Sequence, residues 1–392
     1  MNQTVLEQNP ADQAQLPADN QDLAASSSRG SIRAFERSDI PQVCRLFSQT
    51  FRLGRSYQAG KLAACLEATY FDSPAYTEGT GSIVHLDRNG ALDGFMGVIA
   101  MTMVVGERTL RAGILSAYMA ADPDNNPGIG VSLVRGVTAR DFDLLFTDTA
   151  NRTSLDIARA TRFATLPMQS LEWVKIVRPA GTGAYFLAKR VPRLAAPLVP
   201  ICRAVDALYR RVARPDVPLG KTLDGVRSRP LSAREFAEAA KPFLEPYDVK
   251  PAWADLAWFV EQAELQTKYG PLRICEVVDR VNRRIGLYLL YARPDGVAFA
   301  LQILALPNRE EIVVGKLIAH AAELGAVAVR GGTSADITKG LIRQKGIFYH
   351  HVMGTIVWAR DPRILSAIRG GNVLLGGLAG ETWARIVTED FS

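Results

Sequence analysis

The spacing of apolar residues predicts an alternation of helices and strands from residue 31 to residue 178. Short alternating stretches indicate strands, and apolar residues three or four positions apart indicate helices with one buried face. A meander of three antiparallel strands is predicted in the middle, with turns at Asn89-Gly90 and Gly106-Glu107. The predicted order is strand, two helices, three strands, helix, strand, helix, strand, at residues 31–35, 40–51, 61–70, 82–86, 94–105, 110–121, 128–140, 143–147, 151–162 and 171–177.

A similar order recurs between residue 227 and the C-terminus. Two halves with the same element order indicate a duplicated domain, even without sequence identity between them. The predicted elements are strand, two helices, three strands, helix, strand, helix, strand, at residues 227–231, 233–243, 252–264, 272–278, 284–292, 296–306, 310–324, 326–330, 337–343 and 351–358.

The segment between the halves is rich in proline and arginine and does not follow this order of strands and helices. We therefore predict a disordered tail at 1–30, a first domain at 31–178, a helical linker at 179–226 and a second domain at 227–392. Helices packed across a domain junction are the favoured interpretation of the linker. The alternative is a basic amphipathic surface at residues 178–229 that contacts a membrane peripherally.

Composition is that of a soluble globular protein, with 48% hydrophobic and 22% charged residues among 392. The net charge of +6 favours anionic ligands only mildly. Four widely spaced cysteines, without a metal-ligand or disulfide spacing, indicate reduced thiols in a cytoplasmic protein. The first thirty residues lack the basic start and apolar run of a signal peptide. No metal site and no nucleic-acid motif is indicated.

The segment most informative about chemistry joins the third meander strand to the next helix. It contains Gly128 and Gly130, which let backbone N–H groups approach a ligand closely at a helix N-terminus. Such a site suits a phosphate group. A dinucleotide site is the alternative, and Asp148 at the end of the next strand fits one. However, Leu133 stands where a third glycine is needed, and the preceding strand is antiparallel to its neighbour.

These residues resemble the GCN5-related N-acetyltransferase superfamily, whose domains share this element order. The family motif Arg/Gln-x-x-Gly-x-Gly/Ala is similar to residues 125–130, with Asn125 in place of the basic or amide residue. The resemblance implies an α/β fold of two tandem domains, each with a mixed, mostly antiparallel sheet flanked by helices. It also implies acetyl-CoA or another acyl-CoA as co-substrate, without a metal.

The resemblance also implies which residues bind the cofactor. A splay between the fourth and fifth strands would free the strand edge to pair with the pantetheine amides, and the glycine loop would hold the pyrophosphate. Asn151 would face the cofactor arm, although a role as a helix cap is an equally good explanation. The implied contact residues are Met119, Ala120, Ala121, Asn126, Pro127, Gly128, Ile129, Gly130, Val131 and Asn151.

Catalytic residues are less clearly marked. Many relatives carry a tyrosine acid in the helix after the fifth strand, and Ala158 stands there. Arg162 also replaces the usual glycine. Tyr118 and Asp122 are the nearest candidates for the base, although each also suits a structural role in a sheet or a turn.

The predicted function is acyl transfer, most simply acetyl transfer, to an amine of a small molecule or a cell-surface polymer held between the halves. The second half has Pro307-Asn308-Arg309-Glu310-Glu311 at the corresponding loop, which should not bind CoA. Residues 380–383 are similar to a stretch near the end of tandem relatives. The alternative is a protein that binds acyl-CoA or a partner and regulates without catalysis.

Overall fold

The computed structural model describes residues 30–52, 56–123, 126, 128–191, 198–212, 223–350, 353–370, 372–389 and 391. The predicted disordered tail therefore lies outside the described residues except for its last one. Asn125 and Pro127 of the glycine loop also lie outside them.

The first half contains seven strands and six helices of the described chain. The strands are β1 Ser31–Ala34, β2 Ile83–Leu86, β3 Leu92–Val105, β4 Arg108–Ala120, β5 Leu144–Ala150, β6 Ala164–Leu166 and β7 Leu171–Ile176. The helices are α1 Ile40–Arg52, α2 Ala59–Phe71, α3 Gly128–Thr138, α4 Arg152–Ala160, α5 Pro179–Arg190 and α6 Leu198–Val212.

The second half adds eight strands and six helices among the described residues. Its strands are β8 Arg227–Pro230, β9 Val249–Pro251, β10 Leu272–Val278, β11 Arg284–Tyr291, β12 Val297–Ala305, β13 Ala328–Gly332, β14 Ile347–His350 and β15 Gly354–Ala359. Its helices are α7 Ala233–Leu244, α8 Trp253–Glu264, α9 Glu310–Glu323, α10 Ala335–Arg343, α11 Pro362–Gly370 and α12 Arg385–Thr388.

The strands form two mixed sheets of the same design, as the sequence predicts. The first runs β1-β2-β3-β4-β5-β15-β6, with β9 added against β3, and the second runs β14-β7-β13-β12-β11-β10-β8. Each sheet has a parallel pair near its middle, β4 with β5 and β12 with β13, among antiparallel neighbours.

The two sheets exchange strands. β7 is predicted as the last strand of the first sheet, yet it lies between β13 and β14 in the second. β15 takes the corresponding place in the first sheet, between β5 and β6. Each sheet is therefore completed by the other half of the sequence. The boundary at residue 178 stays a prediction.

One hydrophobic core is shared by both halves. It joins Phe47 and Phe95 of the first half with Phe259 and Leu287 of the second, and all four are buried. Separate, smaller cores lie under α3 and α4 and under α9 and α10. Trp383 anchors the C-terminal segment in this core, where its ring contacts those of Trp258 and Phe259 on α8.

Candidate functional site

The first sheet opens between β4 and β5. The two strands are paired at only three positions, from Ala112 with Leu144 to Ile114 with Phe146. β4 then continues to Ala120 and β5 to Ala150 without pairing to each other. Strands of the same sheet that separate in this way leave backbone N–H and C=O groups free for a ligand.

A β-bulge marks the β4 side of this opening. Phe95 pairs with Met119 and Gly97 with Ser116, so Ala117 and Tyr118 together face the single residue Met96. Ala117 has a φ of 46°, which is uncommon for a residue with a side chain. Bulges re-aim side chains and are frequent beside active sites.

A cavity of about 630 Å³ runs through the opening. It touches residues from the core under α3 and α4 on one face of the sheet, and residues from the shared core on the other. Its size is typical of small-molecule sites. The walls are mainly apolar and include Phe47, Met96, Leu115, Tyr118, Val134, Asn151, Ile157, Ala158, Phe163, Ile356, Glu381 and Ile386.

Helix α3 contributes Val134 to the cavity wall. α3 starts at Gly128, and its first turn carries no acidic residue. A Cβ atom on Gly130 would lie 2.7 Å from both the Tyr118 hydroxyl oxygen and the Ile157 Cδ1 atom. Tyr118 and Ile157 both line the cavity. A side chain at position 130 would displace them, so glycine at this position preserves the cavity wall.

The structure brings only part of the predicted site to the cavity. Tyr118 and Asn151 line it. Asn151 also caps α4 by accepting a hydrogen bond from the Ser154 N–H at 2.9 Å, so both proposed roles are compatible with its position. The remaining predicted residues that are described do not line the cavity, and their contact with a cofactor stays a prediction: Met119, Ala120, Ala121, Asp122, Asn126, Gly128, Ile129, Gly130 and Val131.

The main functional candidate that the sequence analysis missed is Glu381. Its side chain is buried and lines the cavity from the C-terminal segment. Glu381 Oε1 accepts a hydrogen bond from the Thr147 hydroxyl at 3.2 Å, whereas Oε2 has no hydrogen-bond partner among the described residues. An unsatisfied buried carboxylate oxygen in a cavity wall is placed to accept a proton from a bound ligand.

The surroundings of Glu381 favour its neutral form. Burial, together with the nearby charge of Asp148, raises the pKa of this carboxyl to about 8, and the hydroxyls of Ser116 and Thr147 oppose the rise. Burial also raises the pKa of Asp148 to about 6. A carboxyl group that titrates near neutral pH is suited to general acid–base chemistry.

Glu381 is held by its backbone as well. Its N–H donates to Asp148 Oδ1 at 2.9 Å, which ties the C-terminal segment to β5. A Cβ atom on the preceding Gly380 would lie 1.9 Å from Asp148 Oδ2. Gly380 therefore allows a close approach to β5, and Glu381 places a carboxyl group in the cavity wall.

The corresponding opening in the second sheet is filled by the protein itself. β12 and β13 pair from Val297 to Ala300, after which β12 continues to Ala305 paired with β11 but not with β13. The Leu378 N–H donates to Gln302 Oε1 at 3.2 Å beside this stretch. The remaining cavity there is only about 90 Å³. That the second half does not bind CoA stays a prediction.

Two further findings concern the described part of the chain. No group of three or more histidine, cysteine or acidic residues is arranged to hold a metal ion within it. None of its helices combines the length and the apolar character needed to cross a bilayer.

Comparison with known proteins identifies the fold. No protein-family model and no curated protein matches the sequence. A GCN5-related N-acetyltransferase from Anabaena variabilis ATCC 29413 superimposes with a TM-score of 0.55 at 10% identity, over 85% of this chain and 74% of that chain. The fold is that of the GCN5-related N-acetyltransferases.

Two other solved structures agree with this fold. A GCN5-related N-acetyltransferase from Kribbella flavida has a TM-score of 0.52 at 11% identity, over 86% of this chain and 73% of its own. A protein from Enterococcus faecalis V583, described as a probable N-acyltransferase, has a TM-score of 0.53 at 8% identity, with coverages of 85% and 73%. Because these matches cover most of the chain, the fold predicted from the sequence is confirmed for both halves.

Burial of Glu381 has a consequence for stability that can be measured. Its pKa is about 8 in the folded protein and about 4.3 in an unfolded chain. Between these values the folded protein keeps a proton that the unfolded chain releases, so stability falls as the pH rises from about 4 to 8. Glu381→Gln should therefore be more stable than the wild type at about pH 8.5, by a few kcal/mol in order of magnitude, and should lose this advantage near pH 4.

Urea denaturation at several pH values checks this expectation. Glu107→Gln, in the exposed turn between β3 and β4, provides a matched control that should show no such pH-dependent gain. A stability difference between Glu381→Gln and the wild type that is independent of pH would contradict the assigned pKa.

Proposed function

We propose that this protein transfers an acyl group from acyl-CoA to an amine, in the opening between β4 and β5 of the first sheet. The observation that carries the proposal is a cavity that passes through this opening and exposes the titratable carboxyl of Glu381. The names of proteins with the same fold, which include N-acetyltransferases and a probable N-acyltransferase, support the reaction class.

The cofactor would enter from the side of α3 and α4. The N-terminal turn of α3 would present backbone N–H groups to the pyrophosphate, and the helix dipole would favour its negative charge. The pantetheine arm would then follow the unpaired part of β4, past Leu115 and Tyr118, to the opening. The acceptor would approach from the other face, where α1 and α12 contribute Phe47, Arg52 and Ile386 to the cavity.

The residues at the opening can balance every proton of the reaction. The amine nitrogen attacks the thioester carbonyl carbon, and the ionised Glu381 carboxylate accepts the proton that the nitrogen loses. The C–N bond forms, the C–S bond breaks, and the departing sulfur takes a proton from the Tyr118 hydroxyl. Burial raises the pKa of Tyr118, so its hydroxyl stays protonated and serves as a donor rather than the base first expected from the sequence.

The direct test is release of free thiol from acetyl-CoA and longer acyl-CoAs in the presence of a panel of primary amines. Thiol release that requires an amine, together with mass spectrometry of the acylated amine, supports the proposal. Tight CoA binding without amine-dependent thiol release would favour the non-catalytic alternative instead.

Removing the Tyr118 hydroxyl tests its role as the acid. Tyr118→Phe should lower kcat about tenfold at neutral pH, because the sulfur must then leave without a proton. The difference in kcat between the variant and the wild type should shrink above about pH 8.5, because a thiol ionises there without help from an acid. Tyr185→Phe on α5, away from the cavity lining, is the matched control. Equal kcat values for wild type and Tyr118→Phe at all pH values would remove Tyr118 from the mechanism.

A further inference from the structure

Helices α5 and α6 expose an unusual number of apolar side chains. Phe186, Leu187 and Val191 are exposed at the end of α5, and Phe186 is 57% exposed. On α6, Ile201, Val205 and Leu208 are 59%, 51% and 62% exposed. The last three follow each other at helical spacing, so they form one apolar face. We call these six residues the hairpin patch.

The hairpin patch belongs to a firmly attached part of the fold. The buried Asp206 of α6 accepts hydrogen bonds from the N–H groups of Ala180 and Gly181, both at 2.9 Å, which joins α6 to the N-terminus of α5. The guanidinium group of Arg178 forms two ion pairs, with Nε 3.5 Å from Asp206 Oδ2 and Nη1 2.9 Å from Asp295 Oδ1. Arg203 of α6 also pairs with Asp295. The two helices are therefore fixed to the second half, so their exposed face is a defined surface.

The charged residues of the two helices are almost entirely basic. The two helices carry five basic residues and a single acid, and that acid is Asp206, which is 1% exposed. Lys189 and Arg190 are exposed beside the apolar residues at the end of α5, and Arg211 is exposed near the end of α6. Among the described residues of this hairpin, no exposed carboxylate offsets them.

Apolar side chains surrounded by cations fit one kind of partner best. A second copy of the chain docked through the same patch would place positive charge against positive charge. An anionic bilayer surface offers both an apolar region for the six side chains and negative headgroups for the cations. We propose that the hairpin patch docks the protein peripherally on anionic lipid membranes, independently of acyl transfer in the first sheet.

The proposal predicts lipid binding that depends on both charge and the apolar residues. Full-length protein should sediment with vesicles that contain phosphatidylserine roughly fivefold more than with phosphatidylcholine vesicles, and high salt should release most of it. The double variant Ile201→Glu, Leu208→Glu should lose at least about ninety per cent of this binding, because it places carboxylates in the patch. Both side chains are exposed, so folding should persist.

A control variant distinguishes binding through the hairpin patch from non-specific adsorption to vesicles. Val281→Glu changes an 80% exposed valine in the turn between β10 and β11 and should leave vesicle binding unchanged. Wild-type binding that is absent, or equal on neutral and anionic vesicles, overturns the proposal. So does a double variant that binds as well as the wild type. Light scattering that shows a dimer which the double variant dissociates, without vesicle binding, would identify the patch as a contact between copies instead.

Discussion

Glu381→Gln should lower kcat for amine-dependent thiol release by about 10²- to 10³-fold at neutral pH, the usual contribution of a positioned general base. Glutamine keeps the size of the side chain and can still accept the hydrogen bond from Thr147. It cannot take a proton from the attacking amine. The KM for acyl-CoA should change little, because the change removes no contact with the proposed cofactor path.

The pH profile distinguishes a base from a structural group. Wild-type kcat/KM should rise with pH and level off near the pKa of Glu381, about 8, because only the ionised carboxylate accepts a proton. The residual activity of Glu381→Gln should lack this rise. Asp148→Asn should move the wild-type inflection to lower pH, since it removes a neighbouring negative charge that raises the pKa of Glu381.

Two outcomes would contradict this role. One is a Glu381→Gln variant with wild-type kcat at pH 7. The other is an inflection near pH 8 that persists in the variant, which would assign the titrating group elsewhere.

Gly130→Leu should weaken CoA binding at least about tenfold. The new side chain would meet the Tyr118 hydroxyl and Ile157, which lie 2.7 Å from the position of its Cβ atom. These side chains would have to move into the cavity that they now line, and the first turn of α3 would be less accessible to phosphate. Isothermal titration of CoA into the wild type and the variant measures the effect.

A matched glycine elsewhere controls for the substitution itself. Gly60 lies in the first turn of α2, where an added Cβ atom would meet no atom within 4 Å. Gly60→Leu should fold and should bind CoA as the wild type does. Unchanged CoA affinity in a folded Gly130→Leu protein would show that the cofactor does not use this end of α3.

The sequence predicts those parts of the fold that depend on local patterns. The start of α3 at Gly128, the cap at Asn151 and the long β3–β4 hairpin follow from glycine, asparagine and alternating apolar residues close together in the chain. Tyr118 is also predicted from the sequence as a site residue, and it lines the cavity.

The rest depends on contacts between distant parts of the chain. β7 has the alternation of any strand, and nothing in that alternation tells which sheet it joins. Thr147 and Glu381 are 234 positions apart, so only the folded protein shows that they meet. Residues 380–383 resemble a stretch of tandem relatives, but nothing in the sequence indicates that the carboxyl group of Glu381 is buried.

A crystal structure of the full-length protein with CoA bound would show directly where the cofactor binds. We expect the pyrophosphate at residues 128–131 and the thiol in the opening between β4 and β5, facing Tyr118 and Glu381. CoA bound in the second half, near residues 307–311, or on the surface away from α3 would contradict it.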